Sequence, residues 1–337
     1  MSSIDVIVPC YKYGHFLQEC VESALTQHMV DVRVLIIDDA SPDNTAEVGS
    51  ELAREDSRVT FLRHNVNKGH IATYNEGIEW ACSDYFLLLS ADDYLLPSAL
   101  SRATRLMDSH HEVGFTFGSV IELNDVGVKK EIESVSKLLN GARERILPGN
   151  KFIEISGVHN NVPTPTAVVN TALQKKVGGY RSQLPHSGDM EMWLRLAAYA
   201  PVGIIGEPQA VYRKHSTNMS VDYFAHRWFG DLQQRRIAVD LFIQSCSHIL
   251  PKAQKLRRKL LRSLGREAVG WASAAFNDGN MELCDKLSQL AVEMYPNVKS
   301  SVPWLRLYLK RQVGPKYWPV IQPVIAPITR LRQRIYP

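Results

Sequence analysis

Two pairs of adjacent aspartates follow short apolar runs in the first hundred residues of the chain. Asp38-Asp39 follows the run from Val32 to Ile37, and Asp92-Asp93 follows the run from Tyr85 to Leu89. A carboxylate such as Asp39 can accept a hydrogen bond from an N–H on the edge of a nucleotide base. Because side chains alternate along a strand, one acid of the second pair would face an ion while the other orients it. That arrangement is typical of a divalent cation, Mg²⁺ or Mn²⁺, whose remaining ligands are diphosphate oxygens.

Each acid pair is also compatible with a structural role. Ser41 or Asp43 can cap the helix that follows the first pair. The second pair can belong to a solvated turn before Pro97, which is typical of the first turn of a helix. Spacing within each pair does not decide between these alternatives.

Two further polar residues stand in the second half of this region. Asp189 precedes the helix-like stretch from Met190 to Tyr199, where a carboxylate has either a functional role or the role of a helix cap. His215 follows Tyr212-Arg213-Lys214 and is compatible with a metal or phosphate contact, or with a packing role. Asp189 and His215 are therefore candidate functional residues.

Alternating strand-like and helix-like segments would position the acids. Apolar runs of strand length alternate with segments of helical periodicity through the first hundred residues, which favours an α/β fold with a mostly parallel, Rossmann-like sheet covered on both faces. In such sheets ligands bind at the carboxyl ends of the strands, where both acid pairs fall. We expect residues 1–220 to form this domain in two halves, residues 1–110 with the first strands and residues 111–220 finishing the same sheet. Residues 221–337 are expected to form a helical, basic extension, with a helical hairpin from Arg266 to Tyr295.

Composition narrows the classes of protein that fit. The net charge of +4, from 39 basic and 35 acidic residues, is too small to indicate a nucleic-acid-binding protein. Five scattered cysteines with no CxxC pair favour a reducing cytoplasm over a disulfide framework or a zinc site. The residues from Met1 to Tyr11 resemble a buried strand more than a signal peptide. No run is long and apolar enough to cross a bilayer, and the nearest, Tyr317 to Ile328, is broken by prolines.

The C-terminal tail mixes basic and aromatic residues. This composition suits either peripheral contact with anionic lipid at the inner face of the cell membrane or docking onto the protein itself. The residues concerned are Lys310, Arg311, Lys316, Arg330, Arg332, Arg334, Trp304, Tyr308, Tyr317 and Trp318.

Taken in order, seven stretches of residues 3–220 resemble the family 2 glycosyltransferases, which have the GT-A fold. The matching stretches are Asp5 to Tyr11, Val34 to Thr45, Asn67 to Ile78, Leu87 to Pro97, Val177 to Tyr180, Ser187 to Arg195 and Tyr212 to Ser220. The resemblance implies an inverting transferase that moves a sugar from a nucleoside-diphosphate sugar, with a UDP- or dTDP-sugar favoured, to a glycan or lipid-linked saccharide in cell-surface polysaccharide synthesis.

The resemblance also implies roles for individual residues. Asp189 matches the catalytic base, and Asp92 matches a metal ligand, with His215 as a second candidate. Ser90 stands where the family's Asp-x-Asp motif has its first acid, and Gly188 replaces a frequent acid before Asp189. The donor would be contacted by Pro9, Tyr11, Asp39, Asn67, Lys68, Asn75, Ala91 and Asp93. The acceptor would be contacted by Trp193 and His186.

Three other classes of protein are alternatives to a family 2 glycosyltransferase. A response-regulator-like module would end within about 125 residues and leave the segment around Asp189 unexplained. A dinucleotide-dependent dehydrogenase requires G-x-G-x-x-G after the first strand, where the chain offers only Gly14. A GT-A-like domain that binds nucleotide sugars without transferring them remains the alternative, because Ser90 removes one acid from the motif.

Overall fold

A computed structural model of the protein describes residues 1–124, 126–127, 129–132, 135–215, 218, 229–318 and 320. The chain divides into two compact units, residues 1–218 and 219–337. The first unit contains the strands β1 Ser3–Cys10, β2 Asp31–Asp38, β3 Val59–Arg63, β4 Tyr85–Leu88, β5 Tyr94–Leu95, β6 Phe115–Asn124, β7 Lys129–Ile132, β8 Glu144–Leu147, β9 Val168–Asn170 and β10 Val202–Lys214. Its helices are α1 Gly14–Leu25, α2 Thr45–Glu55, α3 His70–Trp80, α4 Ala99–Ser109, α5 Ser136–Leu139, α6 Gly149–Ser156, α7 Thr171–Val177 and α8 Gly188–Tyr199.

The ten strands form one mixed sheet in the order β3-β2-β1-β4-β9-β6-β10-β5, with β7 paired to β6 and β8 to β10. The longest ladders, β1 with β2 and β6 with β10, are parallel. The short strands β5, β7, β8 and β9 join in antiparallel fashion. Because β9 runs against both β4 and β6, these two strands point the same way, and so does β10. The carboxyl ends of β1, β2, β4 and β10 therefore lie along the same edge of the sheet.

The apolar runs become the buried centre of this sheet. Ile4, Val6, Ile7 and Val8 of β1 have no exposed surface, as expected for a parallel strand covered on both faces. One close approach fixes the position of α3. A Cβ on Gly77 would lie 2.3 Å from Cγ2 of Ile7, so only glycine allows this helix to pack so near β1. This packing brings the N-terminal half of α3 to the carboxyl edge of the sheet.

The second unit is helical over its described part. Its helices are α9 Phe229–Cys246, α10 Ala253–Asn277, α11 Met281–Met294 and α12 Val302–Val313. The expected hairpin is present as α10 and α11, although α10 begins earlier than predicted. Arg235, nearly buried in α9, pairs with Glu267 of α10 at 2.6 Å and with Asp231. None of the helices among the described residues is both long and apolar enough to span a membrane.

Candidate active site

Asp92 meets His215 at the carboxyl ends of β4 and β10. Oδ2 of Asp92 lies 3.2 Å from Nε2 of His215 and 3.3 Å from Nδ2 of Asn218. The imidazole of His215 is held in place by the rings of Tyr13 and Phe16, whose centroids lie 5.4 and 5.6 Å away. The two residues that were expected at a metal site from separate motifs are thus brought together by the sheet.

Asp93 points away from His215 and is anchored to the neighbouring strand. Its Oδ1 accepts a hydrogen bond from the backbone N–H of Arg213, 3.0 Å away. Burial raises the pKa of Asp92, and burial together with the negative charge of Asp92 raises the pKa of Asp93 well above its usual range. Both acids lie in the turn between β4 and β5, where the N–H of Asp93 donates to the backbone oxygen of Ser90, so the expectation that strand alternation divides the pair is wrong. A direct contact between Asp93 and the donor stays a prediction.

Arg213 joins β10 to the turn that contains Asp92, a role that the sequence did not predict. Its Nη1 donates to the backbone oxygen of Asp92 at 2.7 Å, and it forms an ion pair with Glu19. The guanidinium lies over the rings of Phe16 and Tyr94, at 4.7 and 4.8 Å from their centroids. Flanked by two aromatic faces and by backbone, it is rigid enough to fix the Asp92 backbone relative to β10.

Asp39 is nearly buried, and its carboxylate organises the loop before α3. Oδ1 accepts from the N–H of Lys68 at 2.7 Å and contacts Nδ1 of His64 at 2.7 Å, while Oδ2 accepts from the N–H of Gly69 at 2.8 Å. A carboxylate oxygen has about two lone-pair positions, so within the described residues one position on Oδ2 is left over. Asp38 serves its own loop, since its Oδ1 accepts from the N–H of Ser41.

Asn67, Lys68 and Asn75 were expected to contact the donor, and each has a partner in the protein. Asn67 donates from Nδ2 to the backbone oxygen of Asp39 at 3.2 Å. The Lys68 ammonium pairs with Glu76 at 3.0 Å. The Asn75 amide donates to the backbone oxygen of Tyr180 at 2.9 Å and accepts from its N–H at 2.6 Å. The structure therefore uses Asn75 to join α3 to the segment that carries Tyr180, and its donor contact stays a prediction.

The remaining expected donor contacts lie around the end of β1. Tyr11 is 40% exposed, and Lys12 Nζ lies 5.0 Å from the centroid of its ring. Ala91 is fully buried, and its N–H donates to the backbone oxygen of Pro9 at 3.4 Å. Lys12 has a φ of +66°, a left-handed conformation that is rare for residues other than glycine and is concentrated at functional sites. The exposed ring of Tyr11 thus belongs to the residue that directly follows the carboxyl end of β1.

Asp189 lies in the first turn of α8 and faces the same edge of the sheet. Its Oδ2 accepts from Oγ1 of Thr164 at 3.0 Å, and the hydroxyl of Tyr180 donates to its carboxylate. The residue that caps α8 is Ser187, so Asp189 is not the cap. Burial raises the pKa of Asp189, although these two hydrogen bonds and the charges of His70 and His186 oppose the rise. A carboxyl group with a raised pKa is suited to accept a proton.

Tyr74 and His70 of α3 connect the two acidic centres, and sequence reasoning gave neither a role. The Tyr74 side chain hydrogen-bonds with Ser90 and has electrostatic interactions with Asp92 and Asp189. Burial, reinforced by these acids, raises its pKa above the usual range. Nε2 of His70 lies 2.9 Å from the backbone oxygen of Pro185. The i, i+4 spacing of these two residues, one turn apart on a helix, is the sequence signal that could have identified them.

The two residues expected to contact the acceptor have different positions. His186 is half-buried and close enough to Asp189 to influence its pKa. Trp193 is only 4% exposed, and its ring packs at 5.5 Å from that of Phe115. The expectation that Trp193 contacts the acceptor is not supported by this position, because its helix is buried on all sides from Met190 to Ala197.

A buried ion pair in α8 supports the segment before Asp189. Glu191, 1% exposed, pairs with Nη2 of Arg195 at 2.8 Å and with Nε of Arg181 at 3.0 Å. Arg195 in turn donates to the backbone oxygens of Val177 and Gly179, each at 2.9 Å. The acid and its two arginines thus hold the turn that precedes Tyr180, the residue that contacts Asp189.

Part of the chain is similar to known proteins. The family model described as "Glycosyl transferase family 2" matches residues 5–159, a range that includes both acid pairs. The uncharacterized glycosyltransferase EpsJ of Bacillus subtilis (strain 168) is 31% identical over 101 residues, which cover 30% of this chain and 29% of EpsJ. Residues 5–159 are thus similar to the family 2 glycosyltransferases. The chain spans less than a third of the length of EpsJ.

Two solved structures resemble the chain in fold. S. aureus TarS 1–349 in complex with UDP-GlcNAc has a TM-score of 0.58 and 14% identity, and the match covers 85% of this chain and 90% of that one. The mannosyltransferase PcManGT of Pyrobaculum calidifontis, in complex with GDP-Man and Mn²⁺, has a TM-score of 0.51 and 15% identity, with 90% and 84% covered. At these identities the likeness shows the fold, and the GT-A fold expected from the sequence is confirmed.

Proposed function

We propose that the protein transfers a sugar from a nucleoside-diphosphate sugar to a hydroxyl group of a glycan or lipid-linked acceptor, with inversion at the anomeric carbon. The observation that carries the proposal is that two acidic centres, Asp92 with His215 and Asp189 with Thr164, both interact electrostatically with Tyr74. A single in-line displacement needs one group to hold the diphosphate and one to take the proton of the attacking hydroxyl.

Asp189 is the proposed base. Its carboxylate is held by Thr164 and Tyr180, and its raised pKa favours proton uptake from the acceptor hydroxyl. Inversion follows from one displacement without a covalent glycosyl intermediate, in contrast to retaining glycosidases with two closely spaced carboxylates. The proposed acceptor wall is His186 and the turn Thr164–Thr166, which carries the hydroxyl that contacts Asp189.

The donor set of Asp92 and His215 fits a divalent cation. Two cis ligands at about 2.1 Å from one ion are about 3.0 Å apart, and the Asp92 Oδ2 to His215 Nε2 separation is 3.2 Å. The carboxylate suits Mg²⁺ or Mn²⁺, whereas the imidazole suits a transition metal such as Mn²⁺ better than Mg²⁺. Within the described part of the chain, no three His, Cys, Asp or Glu side chains are grouped to hold a metal. The remaining ligands would therefore come from diphosphate and water, and the bound ion would neutralise the charge of the leaving group.

Hydrogen bonding at Asp39 favours a pyrimidine donor. One lone-pair position on its Oδ2 suits the single N3–H of uracil or thymine, whereas guanine presents two parallel donors that need both carboxylate oxygens. Loop amides and His64 already occupy Oδ1. A UDP- or dTDP-sugar is therefore the proposed donor, in line with the UDP-GlcNAc held by TarS and unlike the GDP-Man held by PcManGT.

The site of action is proposed to be the cytoplasm, at the inner face of the membrane when the acceptor is lipid-linked. All five cysteines are free, and Cys82 is exposed, which suits a reducing compartment.

A thermal-shift screen against UDP, dTDP and GDP, each with and without Mn²⁺, tests donor binding. A ligand present at 100 times its Kd stabilises the folded state by about 2.7 kcal/mol. We expect UDP or dTDP with Mn²⁺ to raise the melting temperature and GDP to have a smaller effect. A nucleotide-binding scaffold without transferase activity would give the same shift, so release of nucleoside diphosphate from the matching nucleotide sugar must be measured beside it. Binding without any release would favour the scaffold.

A further inference from the structure

Helix α12 presents an apolar face to solvent. Leu305, Tyr308 and Leu309 are 43%, 54% and 45% exposed, and they lie on one side of the helix at i, i+3 and i+4 spacing. The opposite side carries Leu307, which is buried. Just beyond the helix, Tyr317 and Val320 are 60% and 75% exposed. Isolated exposed apolar residues are ordinary, but a run of this kind along one face is typical of an interaction surface.

The sequence segment that contains this face carries only positive charge, although Arg311 forms an ion pair with Asp285 of α11. After Glu293 the sequence contains no Asp or Glu, although the chain as a whole is only +4. The eight basic residues of this segment are Lys299, Arg306, Lys310, Arg311, Lys316, Arg330, Arg332 and Arg334. Lys299, Arg311 and Lys316 are exposed in the structure, whereas Lys310 is buried against Ser273 and Asn277. Arg330, Arg332 and Arg334 lie outside the described residues.

We propose that the outward face of α12 inserts into the headgroup region of an anionic phospholipid bilayer. Apolar and aromatic residues flanked by lysine and arginine match the two requirements of an interfacial helix, which are apolar area to bury and positive charge to attract anionic lipid. A second copy of the chain would not suit this face as well, because its concentrated positive charge would be repelled by itself. Tyr308 and Tyr317 lie at the level of the headgroups, where amphipathic rings are favoured.

Sedimentation of the full chain with sucrose-loaded vesicles tests the proposal. One vesicle type contains phosphatidylcholine alone, and the other includes about one third phosphatidylglycerol to supply the anionic surface. We expect binding to the anionic vesicles only, and a clear loss of binding when salt rises from about 0.1 M to about 0.5 M, since screening shortens the reach of surface charge.

Paired variants separate the apolar and the electrostatic contributions. Leu305→Ser with Leu309→Ser should weaken binding at least about tenfold, because two partly exposed leucines no longer enter the bilayer. Lys299→Glu with Lys316→Glu should weaken it about 25-fold or more, at about fivefold per charge. The matched control is Ile155→Ser on α6, a residue with the same 43% exposure as Leu305, which should bind vesicles as the wild type does.

Three results would overturn the proposal. One is equal binding to neutral and anionic vesicles, and another is unchanged binding by the double serine variant. The third is a wild-type dimer, seen by light scattering without lipid, that the serine variant converts to a monomer. Far-ultraviolet circular dichroism checks that each variant is folded, and the charge-reversal pair decides the question if the serine pair is not. Donor hydrolysis without vesicles should be unchanged in both variants, so loss of vesicle binding is distinguished from failure of the proposed transferase activity.

Discussion

Replacement of Asp189 by asparagine keeps the size of the side chain and an oxygen that can still accept from Thr164, 3.0 Å away in the wild type. It removes the basic carboxylate. Loss of a general base lowers turnover by about 10² to 10⁴, which corresponds to a barrier higher by about 2.7 to 5.4 kcal/mol. The affinity for the donor should change little, because the proposed donor contacts lie at Asp39 and Asp92.

The same substitution makes a separate prediction about stability. Burial raises the pKa of Asp189 in the folded protein above its value in the unfolded chain. The folded state therefore binds the proton more tightly, and stability falls as pH rises from the ordinary aspartate pKa through the raised one. Above the raised pKa this cost is fully present. Asp189→Asn should therefore melt at the same temperature as the wild type or higher, while its activity is lost.

The assay is release of nucleoside diphosphate by the full chain with a saturating donor, measured by chromatography beside a thermal melt. The control is Asp108→Asn in α4, whose carboxylate accepts from the hydroxyl of Tyr85 at 2.8 Å near the opposite end of β4. This control should keep normal turnover. Near-normal turnover in Asp189→Asn, or a loss of turnover that accompanies a lower melting temperature, would refute the assignment of Asp189 as the base.

Further predictions concern the residues around the proposed base. Asp92→Asn and His215→Ala should each raise the Mn²⁺ concentration needed for half-maximal activity by at least about tenfold, as expected for the loss of a metal ligand or its partner. An unchanged Mn²⁺ requirement in both variants would contradict cation binding at Asp92. His64→Ala should raise the KM for the donor about fivefold with kcat preserved, since Asp39 loses one hydrogen bond worth about 1 kcal/mol; a fall in kcat alone would argue for another role. Asn75→Ala should lower the free energy of unfolding by about 1 to 3 kcal/mol, because both hydrogen bonds to Tyr180 are lost, and an unchanged urea midpoint would contradict that anchoring role. In the wild type, activity should fall with decreasing pH through the raised pKa of Asp189, and a pH profile that follows an ordinary aspartate would disagree.

The strands and helices of the first hundred residues could be predicted because their signals are local. The run from Ile4 to Val8 is apolar apart from Asp5, and α1 and α3 carry helical periodicity. Parallel pairing of neighbouring strands then places the ends of β2 and β4 at one edge of the sheet. The position of both acid pairs at that edge follows from these local patterns.

Other features depend on contacts between residues distant in sequence. His215 lies 123 positions from Asp92, and only the order of β9, β6 and β10 in the sheet brings them together. Trp193 was expected to contact the acceptor, but α8 is buried on all sides from Met190 to Ala197, and its periodicity does not show which face meets the site. Arg213 gave no chemical signal in sequence, and Tyr74 gave only its spacing from His70, because the roles of both residues come from the groups that packing places around them.

Release of nucleoside diphosphate from a panel of UDP-, dTDP- and GDP-sugars with Mn²⁺, by the wild type and by Asp92→Asn, tests most directly whether this edge of the sheet is the active site. The account predicts release from a UDP- or dTDP-sugar by the wild type, little from a GDP-sugar, and a loss of release in Asp92→Asn with the fold intact. Release from none of the donors, or equal release by the variant, would contradict it.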